Sequence, residues 1–165
     1  MQIRQGNNND LPGLKKLALD SWKQYQPVLT EENWNKLYST LSADNTFIEL
    51  LNNSWSFVCE NEKKELIGMS FLVPSGNPTE IYTHEQCYIR FVTVAAAYAG
   101  RQLGQKLTEK CIEKAKETNE SVIALHTSEF MDRARHVYEK LGFQISRELP
   151  SRLGKRYWLY ELKIK

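Results

Sequence analysis

The sequence predicts an α/β fold, a single domain over residues 1–165 built on a mixed sheet with helices on its faces. Three observations carry that expectation. A chain of 165 residues, 41% hydrophobic and 25% charged, has ordinary globular composition and enough length for one core. Helical and strand-like apolar patterns share the chain, with no repeat and no linker that would divide it. After a Pro/Gly-rich loop at Pro74 to His84, the order becomes strand, helix, strand, helix, strand, strand.

Before that loop, Asp10 precedes Leu11, Leu14, Leu17, Ala18, Ser21, Trp22 and Tyr25. This one-faced helix takes Asp10 as its N-cap and Pro12 in its first turn. Thr30 caps a second helix with Trp34, Leu37, Tyr38 and Leu41 on its apolar face. Trp55 to Glu60 and Leu66 to Val73 are strands, rich in β-branched and aromatic residues and joined by the charged turn Asn61 to Glu65.

Beyond the loop, Gln86 to Val94 reads as a strand and Gln102 to Lys116 as a helix striped by Leu103, Leu107, Cys111 and Ala115. Ser121 to Thr127 is the next strand, parallel to Gln86 to Val94 through a right-handed crossover. Phe130, Ala134, Val137, Tyr138 and Leu141 stripe a further helix, which Gly142 ends in the left-handed stop position. Phe143 to Arg147 and Tyr157 to Lys163 close the chain as an antiparallel pair.

With 22 Lys and Arg against 20 Asp and Glu, a net charge of +2 is too mild for a nucleic-acid partner. No apolar run approaches the ~20 residues that span a bilayer, and the polar N-terminus lacks a signal layout, so no membrane association is expected. Cys59, Cys87 and Cys111 are odd in number and far apart in apolar stretches. They read as reduced, buried thiols of a cytoplasmic protein, without a disulfide frame or a metal site.

The stretch Phe91 to Leu107 is the most informative. A strand ends at Val94, a short loop follows, and a helix begins around Gln102 to Gly104. Free amides and the helix dipole at such a start favour an anion. Gly100 and Gly104 remove side chains there, while Arg101, Lys106 and Lys110 add positive charge. The spacing excludes a P-loop, and Gly-x-Gly-x-x-Gly is absent. Taken alone, the loop reads equally well as a strand-to-helix turn with a packing glycine.

A second motif, Ala134-Arg135-His136-Val137-Tyr138-Glu139-Lys140-Leu141-Gly142-Phe143, alters that balance. Together the two resemble the GNAT superfamily of acetyl-CoA-dependent N-acyltransferases. The family's loop reads Arg/Gln-x-x-Gly-x-Gly/Ala, and its later motif reads Asn-x-x-Ala-x-x-x-Tyr-x-x-x-Gly-Phe. Ala134, Tyr138, Gly142 and Phe143 fall in register. Ala99, Gln102 and Met131 depart from it, standing where Arg or Gln, Gly and Asn are expected.

The resemblance implies a mostly antiparallel central sheet splayed after the fourth strand, and transfer of an acetyl group from acetyl-CoA to a primary amine by direct attack in a ternary complex. It implies that the amides of Ala99, Gly100, Arg101, Gln102, Leu103, Gly104 and Gln105 hold the pyrophosphate. Val92, Thr93 and Val94, on a bulged strand, would pair the pantetheine arm, with an oxyanion donor near Val92 and Met131 also in contact. Tyr138 becomes the acid for the departing thiolate, although by helical spacing alone it reads as a core aromatic. Glu85 is the leading candidate for a general base, with His84, Tyr88 and His126 as alternatives, or else no dedicated base exists and the amine arrives neutral; His136 is given no role. No metal is implied.

Trp22, Tyr25, Trp34, Tyr38, Tyr157 and Tyr160 are the aromatics available to an acceptor pocket for a small-molecule or peptide amine, and Glu31, Glu32 and Glu49 are the nearby acids. A homodimer is compatible with the resemblance. The competing function is a non-catalytic acetyl-CoA-binding or protein-interaction domain that keeps the fold.

Overall fold

The computed structural model describes residues 1–165. Its strands are β1 (Gln2–Gln5), β2 (Trp55–Glu60), β3 (Leu66–Val73), β4 (Cys87–Val94), β5 (Val122–Ser128), β6 (Gln144–Arg152) and β7 (Lys155–Lys163). Its helices are α1 (Leu11–Trp22), α2 (Glu31–Ser42), α3 (Asp44–Asn53), α4 (Leu103–Glu117) and α5 (Asp132–Lys140). The sheet runs β1-β2-β3-β4-β5-β7-β6. Every neighbouring pair is antiparallel except β4 and β5, the strands joined through α4. The mixed sheet and crossover agree with the sequence expectation.

Two apolar faces cover the sheet. Leu14, Leu17 and Ala18 of α1, Leu41 of α2, and Phe47 and Leu50 of α3 meet Val58, Met69, Phe71 and Leu159 on one side. On the other, Cys111 and Ala115 of α4 and Tyr138 of α5 meet Leu72, Cys87, Ile89, Ile123 and Tyr160. The crossover helix and α5 therefore lie opposite α1 to α3. All three cysteines are buried and free, as expected. No helix is long and apolar enough to cross a membrane.

The N-terminal segment differs from the sequence expectation. Asp10 does not cap α1 with its side chain; Asn7 caps the preceding 3-10 turn in a reciprocal capping box with Asp10. Asp10 instead receives both terminal nitrogens of Arg4, at 2.9 and 2.8 Å, and the Asn7 backbone N–H at 2.8 Å. Arg4 also donates its Nε to Glu60 at 3.1 Å, tying β1 to β2.

These Arg4 hydrogen bonds are the main reason the Asp10 carboxyl sits below its usual range. A depressed carboxyl contributes stability that is complete above the unfolded value near 4 and disappears as pH falls through the folded one. Asp10→Ala is therefore expected to cost about 1–3 kcal/mol at pH 7, because the part-buried Arg4 guanidinium and the Asn7 N–H lose their shared acceptor. Urea titrations should show the gap to wild type closing as pH falls below about 4.

Candidate active site between the splayed strands

Strands β4 and β5 pair only at Cys87↔Ile123 and Tyr88↔Ala124. Beyond Tyr88 they diverge, and β5 continues to pair with β7 alone. The cause lies in β4. Met69↔Thr93 and Phe71↔Arg90 enclose one more residue on β4 than on β3, a β-bulge. Phe91 takes the left-handed conformation there, with φ 53°, and Thr93 donates its hydroxyl to the Phe91 carbonyl at 3.1 Å. The splay after the fourth strand, implied by the resemblance, is thus present with a local cause.

The gap opens into a cavity of about 1100 Å³. At one end lies the loop from β4 to α4. Gly100 has φ 80° and Gln102 has φ 61°, so the chain enters α4 through two left-handed residues. Consequently the backbone N–H groups of Gln102, Leu103, Gly104 and Gln105 find no backbone acceptor. A Cβ built on Gly104 would meet Val94 at an ordinary 3.7 Å, so protein packing does not require this glycine. What its missing side chain leaves open is the cavity wall. Four unbonded amides, a helix N-terminus and an open cradle suit a diphosphate.

Of the sequence-predicted cofactor residues, Val92, Thr93, Val94, Ala99, Gly100, Gln102, Leu103, Gly104, Gln105, Met131 and Tyr138 line this one cavity, but the Ala99 N–H, expected to hold the anion, donates to the Ala96 carbonyl at 3.2 Å as the 3-10 turn closes. The Arg101 side chain is exposed and lies over the Tyr98 ring, 5.1 Å from its centroid. Tyr138 is 7% exposed, packed edge-on against Phe143. Its environment combines the core and the site, since Leu125 and Ala134 beside it also reach the cavity. Burial raises its pKa well above the ordinary phenol value, with Cys111 and Tyr25 adding to the shift.

Glu85 does not reach the cavity. It is exposed at the start of β4, as is His84, whereas Tyr88 is buried. The Tyr88 ring stacks on Tyr82 with centroids 3.9 Å apart, and its hydroxyl donates to the Asn77 carbonyl. His126 does line the cavity, with Nδ1 2.6 Å from the Tyr82 hydroxyl. Burial, together with Arg90 and Arg152, depresses its pKa to about 3, which keeps the ring neutral. No Asp or Glu lines the cavity at all.

The acceptor-side aromatics divide by strand alternation and helix face. Trp22, Tyr25 and Tyr157 line the cavity. Trp34 is buried, while Tyr38 is 46% exposed and not the core residue its spacing suggests. Tyr160 points to the opposite face, where its hydroxyl receives Arg135 Nε at 3.1 Å. Glu31, Glu32 and Glu49 are exposed away from the cavity. His136 is exposed, as expected, at the cavity edge.

Arg90, with Lys36, Arg133 and Arg152, lines the cavity although sequence reasoning did not single it out. A single Arg in a strand resembles a solvent-facing position, and no spacing signal marks it as inward.

A family model described as the acetyltransferase (GNAT) family matches residues 14–143. The fold matches that of PaiA N-acetyltransferase from Thermoplasma acidophilum, solved with coenzyme A, with TM-score 0.79, 16% identity and 98% of each chain covered. It also matches yncA from Salmonella typhimurium, a putative acetyltransferase solved with acetyl-CoA, with TM-score 0.73, 16% identity and coverage of 100% and 94%. An aminoglycoside 6'-acetyltransferase type Ii gives TM-score 0.72, 20% identity and coverage of 100% and 98%. A search of curated proteins finds no match.

Proposed function

The chain belongs to the acetyltransferase (GNAT) family, and we propose that it moves an acetyl group from acetyl-CoA to a primary amine by direct attack in a ternary complex. The carrying observation is the junction of three features in one cavity: unbonded amides at Gln102 to Gln105, an unpaired β4 edge, and the Tyr138 side chain. When bound, acetyl-CoA supplies an activated acetyl group whose thioester carbon accepts the amine.

The chain's own residues supply the rest. The loop amides hold the diphosphate, and the splayed edge of β4 around Val92 pairs the pantetheine arm as a missing strand would. Backbone N–H groups on that edge oppose the negative charge that develops on the thioester oxygen. Tyr138 stays protonated throughout the working pH range and gives its proton to the departing thiolate, and the proton that the newly bonded nitrogen sheds as the C–S bond breaks restores the phenol. Fixing both reactants in one cleft contributes a large share of the rate.

No carboxylate reaches the cavity, and His126 is a weak base, so the amine enters neutral after losing its proton to water. The test measures release of CoA thiol with and without a panel of amines, beside the melting temperature with acetyl-CoA. Binding should raise the melting temperature, and thiol should appear when an amine is present. Below the acceptor's own pKa, log(kcat/KM) is expected to rise with unit slope in pH. A break near 6.5 that vanishes in His126→Gln, or a Glu85→Gln loss beyond about threefold, would reinstate an enzymatic base. Tight acetyl-CoA binding without turnover of any amine would make the chain a non-catalytic binder.

A further inference from the structure

Beside the thioester end of the cavity lies a charge arrangement that acetyl transfer itself does not use. Lys36, Arg90, Arg133 and Arg152 line the cavity, and no acidic residue does. Arg90 is the innermost by sequence position, on β4 next to the bulge. It is part-buried and bonds to no carboxylate; its guanidinium lies over the Phe91 ring at 4.9 Å. The influences on it are burial, the Tyr82 and Tyr88 hydroxyls, and repulsion from Arg152. A guanidinium does not lose its proton in a protein, so the charge persists without a counter-ion.

Arg152 stands at the end of β6, ahead of the turn through Leu153 and Gly154, both left-handed. That turn packs on α2, where a Cβ on Gly154 would meet Asn33 at 3.0 Å, and so places Arg152 over the same cleft. The ion pair of Arg152 is with Glu80, at 3.5 Å, and the Glu80 carboxylate is 82% exposed. Both arginines also act on His126. Two like charges near a neutral His, with only the exposed Glu80 carboxylate on Arg152 and none on Arg90, form a costly arrangement unless an anion joins them.

The diphosphate does not account for this pair. Arg90 precedes Val94 by four residues, roughly 13 Å along a strand, and lies before the bulge. Its side chain shares the α1 side with Phe91 and Tyr82, whereas Val94 and Leu103 pack together on the α4 side. Around it, Trp22, Tyr25 and Tyr157 give the cleft an aromatic wall.

We infer that the acceptor amine carries an oxyanion, a carboxylate or a phosphate, which Arg90 binds with help from Arg152 while an apolar body rests on the aromatic wall. This inference rests on the acetyl-transfer reading. It makes Arg90 a specificity-determining residue and places polycationic amines among the poor acceptors, because they would enter a cleft of their own sign. A bidentate fork suits either oxyanion, and replacing Arg by Lys at such a site is not conservative.

The experiment compares L-tryptophan with tryptamine and L-tryptophanamide, and O-phosphoethanolamine with ethanolamine, with spermidine as the cationic probe. Acetyl-CoA is the donor and thiol release the readout. An anionic member of at least one set should exceed its neutral or cationic partner by 30-fold or more in kcat/KM, mainly through KM. The set that shows this identifies the oxyanion. Arg90→Gln should erase the preference, while KM for acetyl-CoA and the melting-temperature rise with acetyl-CoA stay unchanged.

Equal or faster turnover of the neutral or cationic partner in both sets, or turnover of spermidine matching the best anionic acceptor, would overturn the inference and leave acetyl transfer intact. Failure of acetyl-CoA to bind would instead sink the acetyl-transfer reading. Where acetyl-CoA binds and none of these amines turns over, N-acetyl-L-tryptophan and its amide are titrated into the CoA-loaded protein. Tighter binding of the acid, lost in Arg90→Gln, supports the subsite, and equal binding overturns it.

Discussion

Replacing Tyr138 with Phe is expected to lower kcat by about 10²–10⁴-fold, the usual contribution of a positioned acid, with KM for acetyl-CoA held within about threefold. The change removes one oxygen and keeps the ring that packs 6.0 Å from Phe143, so the core around Leu125, Phe143 and Tyr160 stays filled. Burial raises the Tyr138 pKa, which keeps the phenol protonated, and so able to donate, at every working pH. A loss confined to kcat follows if the hydroxyl acts when the thiolate leaves and not while the donor binds. Steady-state kinetics beside a urea titration separate the two roles. A Tyr138→Phe enzyme that keeps kcat but loses stability would return this residue to the core.

The same residue shows how much of the site was legible in the sequence. Tyr138 sits at helical spacing with Ala134 and Val137, and that pattern serves packing and catalysis alike; the structure places the ring in the core cluster and on the cavity wall together. The loop could be read because a helix start with glycines presents amides whatever its side chains are. Ala99 and Gln102 depart from the family pattern, yet the amides after them remain unbonded.

Strands β2 and β3 fell where β-branched and aromatic residues put them. Strand β1 did not, because Gln-Ile-Arg-Gln has almost no apolar signal and becomes a strand by pairing with β2. Helix α3 escaped for a related reason: Ala43 offers no side-chain cap, and only Phe47 and Leu50 are buried along it. Asp10 was read as a cap from its position, although its partner Arg4 lies on a strand the pattern did not reveal.

Glu85 and Arg90 mark the limit more sharply. Both flank the same buried segment of β4, and the resemblance favoured the acid. Yet the cleft exists only once the bulge, α1, α2 and the β6–β7 turn close around it, and that closure takes in Arg90 and leaves Glu85 outside. Which charge faces a substrate is a tertiary fact here.

Gly104→Asp should separate folding from function by moving them in opposite directions. Gly104 lies in the first turn of α4, which contains no acidic residue, and a Cβ there meets Val94 at only 3.7 Å. An Asp in a first turn interacts favourably with the helix dipole by about 0.3–1 kcal/mol. Replacing a helical Gly adds several tenths more. The unliganded protein is therefore expected to melt at the same temperature or slightly higher. For a diphosphate the same carboxylate is a like charge set among the amides of Gln102 to Gln105, which it also competes for. Affinity for acetyl-CoA should fall at least 100-fold, about 2.7 kcal/mol. Gly104→Ala adds bulk without charge and should cost less, near tenfold. Calorimetric titration with acetyl-CoA and thermal melts of both variants measure the two effects independently. If Gly104→Asp binds acetyl-CoA as wild type does, the amides of this loop are not where the diphosphate rests, because no other arrangement would tolerate a carboxylate at the centre of the cradle.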